Sequence, residues 1–260
     1  MQAIEKNNFE TVTVTNEEDR LVVTLNRPGV RNAINQTMVD ELHSICSYLE
    51  DYPKILILAG LKADAGSGTK AVFASGADIS QLRDRRLHDG LRGINAYLFD
   101  RISRLPMPVI AALDGYTLGG GAELAFAADF RIGTSNMRLG NPETGLGIMA
   151  AAGATWRLVE LGGEPLAKEI LLSGRVLNGE ECLASRLITE LVPPSDLLGA
   201  ANALADKIAR QDALAVQVSK TVLRMPRSAH PEVDTIAQAL LFESEEKFRR
   251  MDEFLQKKKP

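Results

Sequence analysis

A chain of 260 residues has room for one large domain, or for a large domain with a smaller appendage. Its apolar fraction of 45% and charged fraction of 25% are those of an ordinary globular protein, and a net charge of −4 gives no reason to expect nucleic acid or an anionic membrane as partner. No apolar run approaches the roughly 18 residues of a membrane span. The first residues lack the apolar core of a secretory signal, and the only cysteines, Cys46 and Cys182, read as reduced thiols, so a cytoplasmic location is expected.

Taken along the chain, residues 11–15 and 21–25 are β-rich runs around a charged turn, a hairpin pattern. Asn26, Arg27, Pro28 and Gly29 break the second run. Asn35 can then cap a helix whose apolar face is Met38, Leu42, Ile45 and Leu49. Residues 54–59 form a strand apolar on both faces and therefore buried. Residues 71–75 read as another strand, followed by Gly76, Ala77 and Asp78 and a helix from Ile79. A third buried strand covers residues 109–113 and ends in the turn Asp114-Gly115. Residues 62–70, rich in Gly, Ala and Ser, read as a surface loop. Alternating strands and helices argue for a layered α/β core. After Pro193 and Pro194 the pattern becomes helical, over residues 197–224 and 232–257. The expected division is residues 1–194 and residues 195–260.

Chemistry concentrates in four places. Gly119, Gly120 and Gly121 follow a strand and open an apolar helix over residues 122–128. The first amides of a helix have no intrahelical partner, and that end is electropositive. Glycine lets a ligand approach, so the segment suits a negative oxygen such as a phosphate or an enolate. Gly76-Ala77-Asp78 is a second strand-to-helix junction, where Asp78 as N-cap would leave the Ala77 amide free. Two such amides would make an oxyanion hole. Glu123 and Glu143 sit among apolar or glycine neighbours, where an ionised carboxylate is costly. Converging on one pocket, they would form an acid/base pair. Taken singly, each has a plainer reading: close packing at the glycines, an ordinary cap at Asp78, a dipole-complementing Glu123 and a solvated loop carboxylate at Glu143. His43, His88 and His230 are scattered without metal-ligand spacing, so neither a metal site nor a serine–histidine triad is expected.

These segments together resemble the crotonase superfamily, the enoyl-CoA hydratase/isomerase family. Leu25-Asn26-Arg27-Pro28 with Arg31-Asn32-Ala33-Ile34 is similar to its N-terminal signature. Phe73 to Ile79 and Asp114 to Leu124 resemble its two oxyanion segments, and Phe242 with the stretch from Met251 to Lys258 resembles its C-terminal tail. The resemblance implies an α/β fold, a spiral of ββα units with a C-terminal helical region that assembles trimers or hexamers. It implies acyl-CoA thioester substrates, with coenzyme A as part of the substrate and no separate cofactor. Ala77 and Gly120 would be the backbone donors to the thioester oxygen. Glu123 would activate water for attack at C3 and Glu143 would deliver the proton at C2. Arg31, Ala33, Ser75 and Lys257 would contact CoA.

Three departures from the family pattern stand out. Alanines follow Glu143 at positions 150, 151, 152 and 154 where many hydratases carry adjacent glycines, in a stretch whose backbone amides the resemblance implies help to shape the water site. Ser80 replaces a frequent lysine, and the loop at residues 62–70 is a few residues long. Retention of both glutamates points to hydration of trans-2-enoyl-CoA. The alternatives are a double-bond isomerase, or an acyl-CoA-binding protein that keeps the fold without turnover.

Overall fold

The computed structural model describes residue 4, residues 8–63 and residues 70–257. Most of the loop at 62–70 therefore lies outside the described residues, as do Lys258 and Lys259. The chain divides into two compact units, Met1–Ala205 and Asp206–Pro260, a later division than the one expected at the two prolines.

In the first unit, β1 (Val12–Asn16) and β2 (Arg20–Leu25) form the expected antiparallel hairpin, with Val14 opposite Val23. A single 3-10 turn, Pro28–Val30, carries the chain to α1 (Gln36–Asp51). Asn35 caps α1 by accepting from the Met38 N–H at 3.0 Å, and Met38, Leu42, Ile45 and Leu49 are buried, as their spacing requires. The chain then takes β3 (Ile55–Ala59), β4 (Val72–Ala74), and the helices α2 (Ile79–Asp84), α3 (Leu87–Leu91) and α4 (Ile94–Ser103). Next come β5 (Val109–Leu113), β6 (Tyr116–Leu118), α5 (Gly120–Ala127), β7 (Phe130–Thr134) and β8 (Arg138–Gly140). A 3-10 turn, Pro142–Leu146, leads to α6 (Ala154–Gly162) and α7 (Glu164–Ser173). The unit finishes with β9 (Val176–Asn178), α8 (Gly179–Ala184), β10 (Glu190–Val192) and, running across the division, α9 (Leu197–Ala209).

The strands sort into a six-stranded sheet, β1-β2-β3-β5-β7-β10, and a four-stranded sheet, β4-β6-β8-β9. Each of the pairs β3/β4, β5/β6 and β7/β8 gives its first strand to the larger sheet and its second to the smaller. Helices then return the chain for the next pair. Both sheets thus advance one parallel strand per repeat, which winds ββα units into the crotonase-like spiral. Strands β3 and β5 are buried throughout, as their unbroken apolar runs imply.

The second unit contains α10 (Ala213–Leu223), α11 (Glu232–Phe242) and α12 (Glu245–Lys257). The two long helices expected over residues 197–224 and 232–257 are each broken in two. Between α9 and α10 the cause is local: the Asp212 side chain accepts from the Ala215 N–H at 2.8 Å and starts a new helix. Between α11 and α12 the Glu243 and Ser244 amides bond back only three residues, to Leu240 and Leu241, and close the first helix. Glu245 and Glu246 then occupy a fresh N-terminal turn, where negative charge is favoured.

Candidate active site

The first junction follows β4. The Ser75 N–H donates to the Arg31 carbonyl at 3.1 Å, the Ile34 N–H to the Gly76 carbonyl at 2.8 Å, and the Asp78 N–H to the Ile34 carbonyl at 2.9 Å. This short parallel bridge uses groups on either side of Ala77 and leaves the Ala77 N–H without an acceptor among the described residues. Asp78 caps α2 through Ser80 and pairs with Arg27 at 3.1 Å. The Ser80 hydrogen bond, with help from Arg27, holds the Asp78 carboxyl below its ordinary range. The amide of Ala77 is therefore pinned by its neighbours.

The second junction follows β6. Gly119 adopts φ 54° and ψ −125°, a conformation closed to residues with side chains, and turns the chain into α5. Gly120 is then the first helical residue, and its N–H has no partner within the helix. Gly121 has a packing role: a Cβ there would stand 2.4 Å from the Ala74 carbonyl oxygen, so glycine lets α5 abut β4. A Cβ on Gly120 would stand 3.5 Å from the Ala77 nitrogen. The two free amides thus flank one spot.

Both glutamates face that region. Glu123, in the first turn of α5, is 3% exposed. Its Oε1 accepts from the Ala152 N–H at 2.6 Å and the Ala154 N–H at 3.2 Å. Burial pushes its carboxyl up to about 7; the amides of Ala154 and Ala152 pull it back, and the charge of Glu143 adds a smaller push. Glu143 is half-buried in the turn Pro142–Leu146 rather than in an open loop. Its Oε1 receives a long hydrogen bond, 3.4 Å, from Asn141 Nδ2, while Oε2 is buried with no partner among the described residues. Burial raises this carboxyl as well.

Ala77, Gly120, Glu123 and Glu143 all line one cavity of about 510 Å³, with Ser75 among them. Its walls are largely apolar, including Ile79, Leu82, Leu146 and Ile148, and Arg85 and Arg86 also line it. Such a cavity is sized for a small acyl group, and its polar atoms cluster at one place. Arg31 and Ala33 do not line it; their carbonyls accept from the Ser75 N–H and the Arg27 guanidinium. Lys257 is exposed at the end of α12 in the second unit.

The resemblance pointed to backbone amides in the alanine-rich stretch as shaping the water site, and in the structure the amides of Ala152 and Ala154 hold Glu123. Alanine there does not block the arrangement, because the backbone does the work. Two further contributors, Asn141 and Asn95, were not foreseen. Asn141, fully buried, donates to the Gly119 carbonyl at 3.2 Å and so ties the two glutamate segments together. Its place two residues before Glu143 was a usable signal. Asn95 lines the cavity from α4 without any.

The family model for enoyl-CoA hydratase/isomerase matches residues 16–260. A short-chain-enoyl-CoA hydratase of Clostridium acetobutylicum is 36% identical, over 91% of this chain and 88% of its own. A crotonyl-CoA hydratase of Syntrophomonas wolfei is 33% identical, over 96% and 97% respectively. The crystal structure of an enoyl-CoA hydratase from Bacillus anthracis superposes with a TM-score of 0.87 at 26% identity, covering 96% of this chain and 98% of that one. The chain belongs to the enoyl-CoA hydratase/isomerase family, the crotonase superfamily.

Proposed function

We propose that the cavity binds the acyl end of a trans-2-enoyl-CoA and adds water across its double bond, giving the 3-hydroxyacyl-CoA. The protein is an enoyl-CoA hydratase, and the observation that carries the mechanism is the meeting of two buried carboxyls and two unpartnered amides on one cavity. Attack of water at C3 moves electrons through the double bond onto the thioester oxygen. The Ala77 and Gly120 N–H groups stabilise that charge without reorganising. The Glu123 carboxylate takes the proton of the attacking water, and Glu143 protonates C2. With one carboxyl poised near 7 beside another that burial also raises, one can be ionised while the other keeps its proton. The reaction is redox-neutral, so no cofactor beyond the CoA of the substrate is called for.

Arg31, Ala33 and Ser75 are proposed to border the CoA path, where the Arg31 carbonyl is bonded to the Ser75 amide at the cavity rim. Lys257 is proposed to meet a CoA phosphate. A trimer or hexamer built through the C-terminal helices, residues 195–260, is supported by the apolar side chains α11 and α12 expose, among them Ile236, Leu240, Phe248 and Phe254. A role in fatty-acid β-oxidation is proposed from the reaction alone, and a cytoplasmic location accords with two buried free thiols, Cys46 and Cys182. No described helix is long and apolar enough to cross a membrane.

The test is turnover of crotonyl-CoA and of a 3-enoyl-CoA, supplied separately. Hydration of the first supports the reading. Consumption of the second alone would make the protein an isomerase, and binding of both without turnover would make it a non-catalytic acyl-CoA binder.

A further inference from the structure

One polar side chain in the cavity takes no part in the chemistry above. Asn95 is the second residue of α4, whose first turn forms part of the cavity wall together with Gly93. Its Oδ1 is buried, and the side-chain amide has no hydrogen-bond partner among the described residues. The orphaned Oδ1 is an acceptor that a bound carbonyl cannot pair, but the donor Nδ2 of the same side chain has no partner among the described residues either, and it is Nδ2 that a bound carbonyl can satisfy. Its Nδ2 lies 3.6 Å from the point where a Cβ on Gly120 would stand, and the Ala77 nitrogen lies 3.5 Å from that same point. The carboxamide donor therefore lies next to Gly120 on the cavity wall that also carries the Ala77 and Gly120 amides. No protein group fixes the rotation of the amide, so a bound carbonyl is free to orient it.

Resting on the hydration site described above, we propose that Asn95 is a third hydrogen-bond donor to the thioester carbonyl. Its Nδ2–H shares with the Ala77 and Gly120 amides the charge that builds on that oxygen as water adds. A side-chain donor differs from the backbone pair in one respect: it can be removed without touching the chain's path.

The experiment uses the full-length enzyme with Asn95→Ala and the near-isosteric Asn95→Asp. Two quantities are read: the kinetics of crotonyl-CoA hydration, and the carbonyl stretch of bound butyryl-CoA labelled with carbon-13 at the thioester. Loss of one oxyanion donor lowers kcat by about 100-fold. Asn95→Ala is expected to show that loss with KM little changed and with the carbonyl stretch moved toward the value of the free thioester. Asn95→Asp, which places an acceptor where a donor stood, is expected to lose at least as much rate and to shift the stretch the same way. An unshifted carbonyl in both variants overturns the proposal, whatever happens to the rate, since a merely structural role would slow turnover without changing carbonyl polarisation. If the unmodified enzyme binds butyryl-CoA but hydrates no enoyl-CoA, the hydratase reading fails, and the infrared shift still decides the role of Asn95.

Discussion

Replacing Glu123 by glutamine should make the protein more stable while it slows catalysis by about 100-fold or more. The folded-state carboxyl titrates at about 7 against an ordinary value of 4.5, chiefly because it is buried. The folded chain therefore holds this proton more tightly than the unfolded chain. The stability that goes with the raised value is fully present below pH 4.5 and is lost as pH rises through about 7. At about 1.4 kcal/mol per pH unit, that interval makes the ionised, buried group cost about 3 kcal/mol at alkaline pH. Glutamine keeps the shape, and its carbonyl can still accept from the Ala152 and Ala154 amides, but it carries no charge to desolvate. Urea unfolding at equal protein concentration should show Glu123→Gln more stable than the parent by about 3 kcal/mol near pH 8. Near pH 5, where the parent is mostly protonated, the gap should nearly close. Equal midpoints near pH 8, or a gap of the same size at both pH values, would refute the claim that Glu123 is a strained, desolvated acid.

Two further outcomes follow from the same geometry. The kcat/KM for hydration should rise with pH through about 7, because Glu123 must be ionised to accept a proton from water, and fall again at higher pH where Glu143 loses the proton it delivers; a profile with no rise through about 7 would separate Glu123 from the rate-limiting chemistry. Gly121→Ala should destabilise the fold by about 1–3 kcal/mol, since its Cβ would press on the Ala74 carbonyl at 2.4 Å, and thermal unfolding with an unchanged midpoint would refute the packing role of that glycine.

What could be read from the residues was what short-range physics dictates. The hairpin of β1 and β2, the Asn35-capped α1 and the buried β3 and β5 carry periodicity or turn chemistry strong enough to stand alone. The three-residue strands β8 and β9 carry neither; they exist because the spiral brings Arg138–Gly140 beside Tyr116–Leu118 and Val176–Asn178. The breaks at Asp212 and Ser244 were hidden because apolar periodicity runs through both. At the site, Ala77, Gly120 and Glu123 were legible from glycine-rich junctions and an isolated charge. Glu143 was legible as the second acid from its glycine and proline neighbours and the family resemblance, but its burial was not, because that comes from the rest of the cavity wall. The amides of Ala152 and Ala154 were reached only through the family resemblance, since a backbone donor leaves no mark in the identity of its side chain.

The central claim is that both carboxyls act on one bound thioester, and the direct test pairs turnover with binding. Hydration of crotonyl-CoA and the affinity for butyryl-CoA are measured for the parent, Glu123→Gln and Glu143→Gln. Each variant should lose about 100-fold or more in kcat while holding butyryl-CoA about as tightly as the parent. A near-normal rate in either variant would remove that glutamate from the mechanism, and loss of binding in both would make the pair a structural support of the cavity instead of its acid and base.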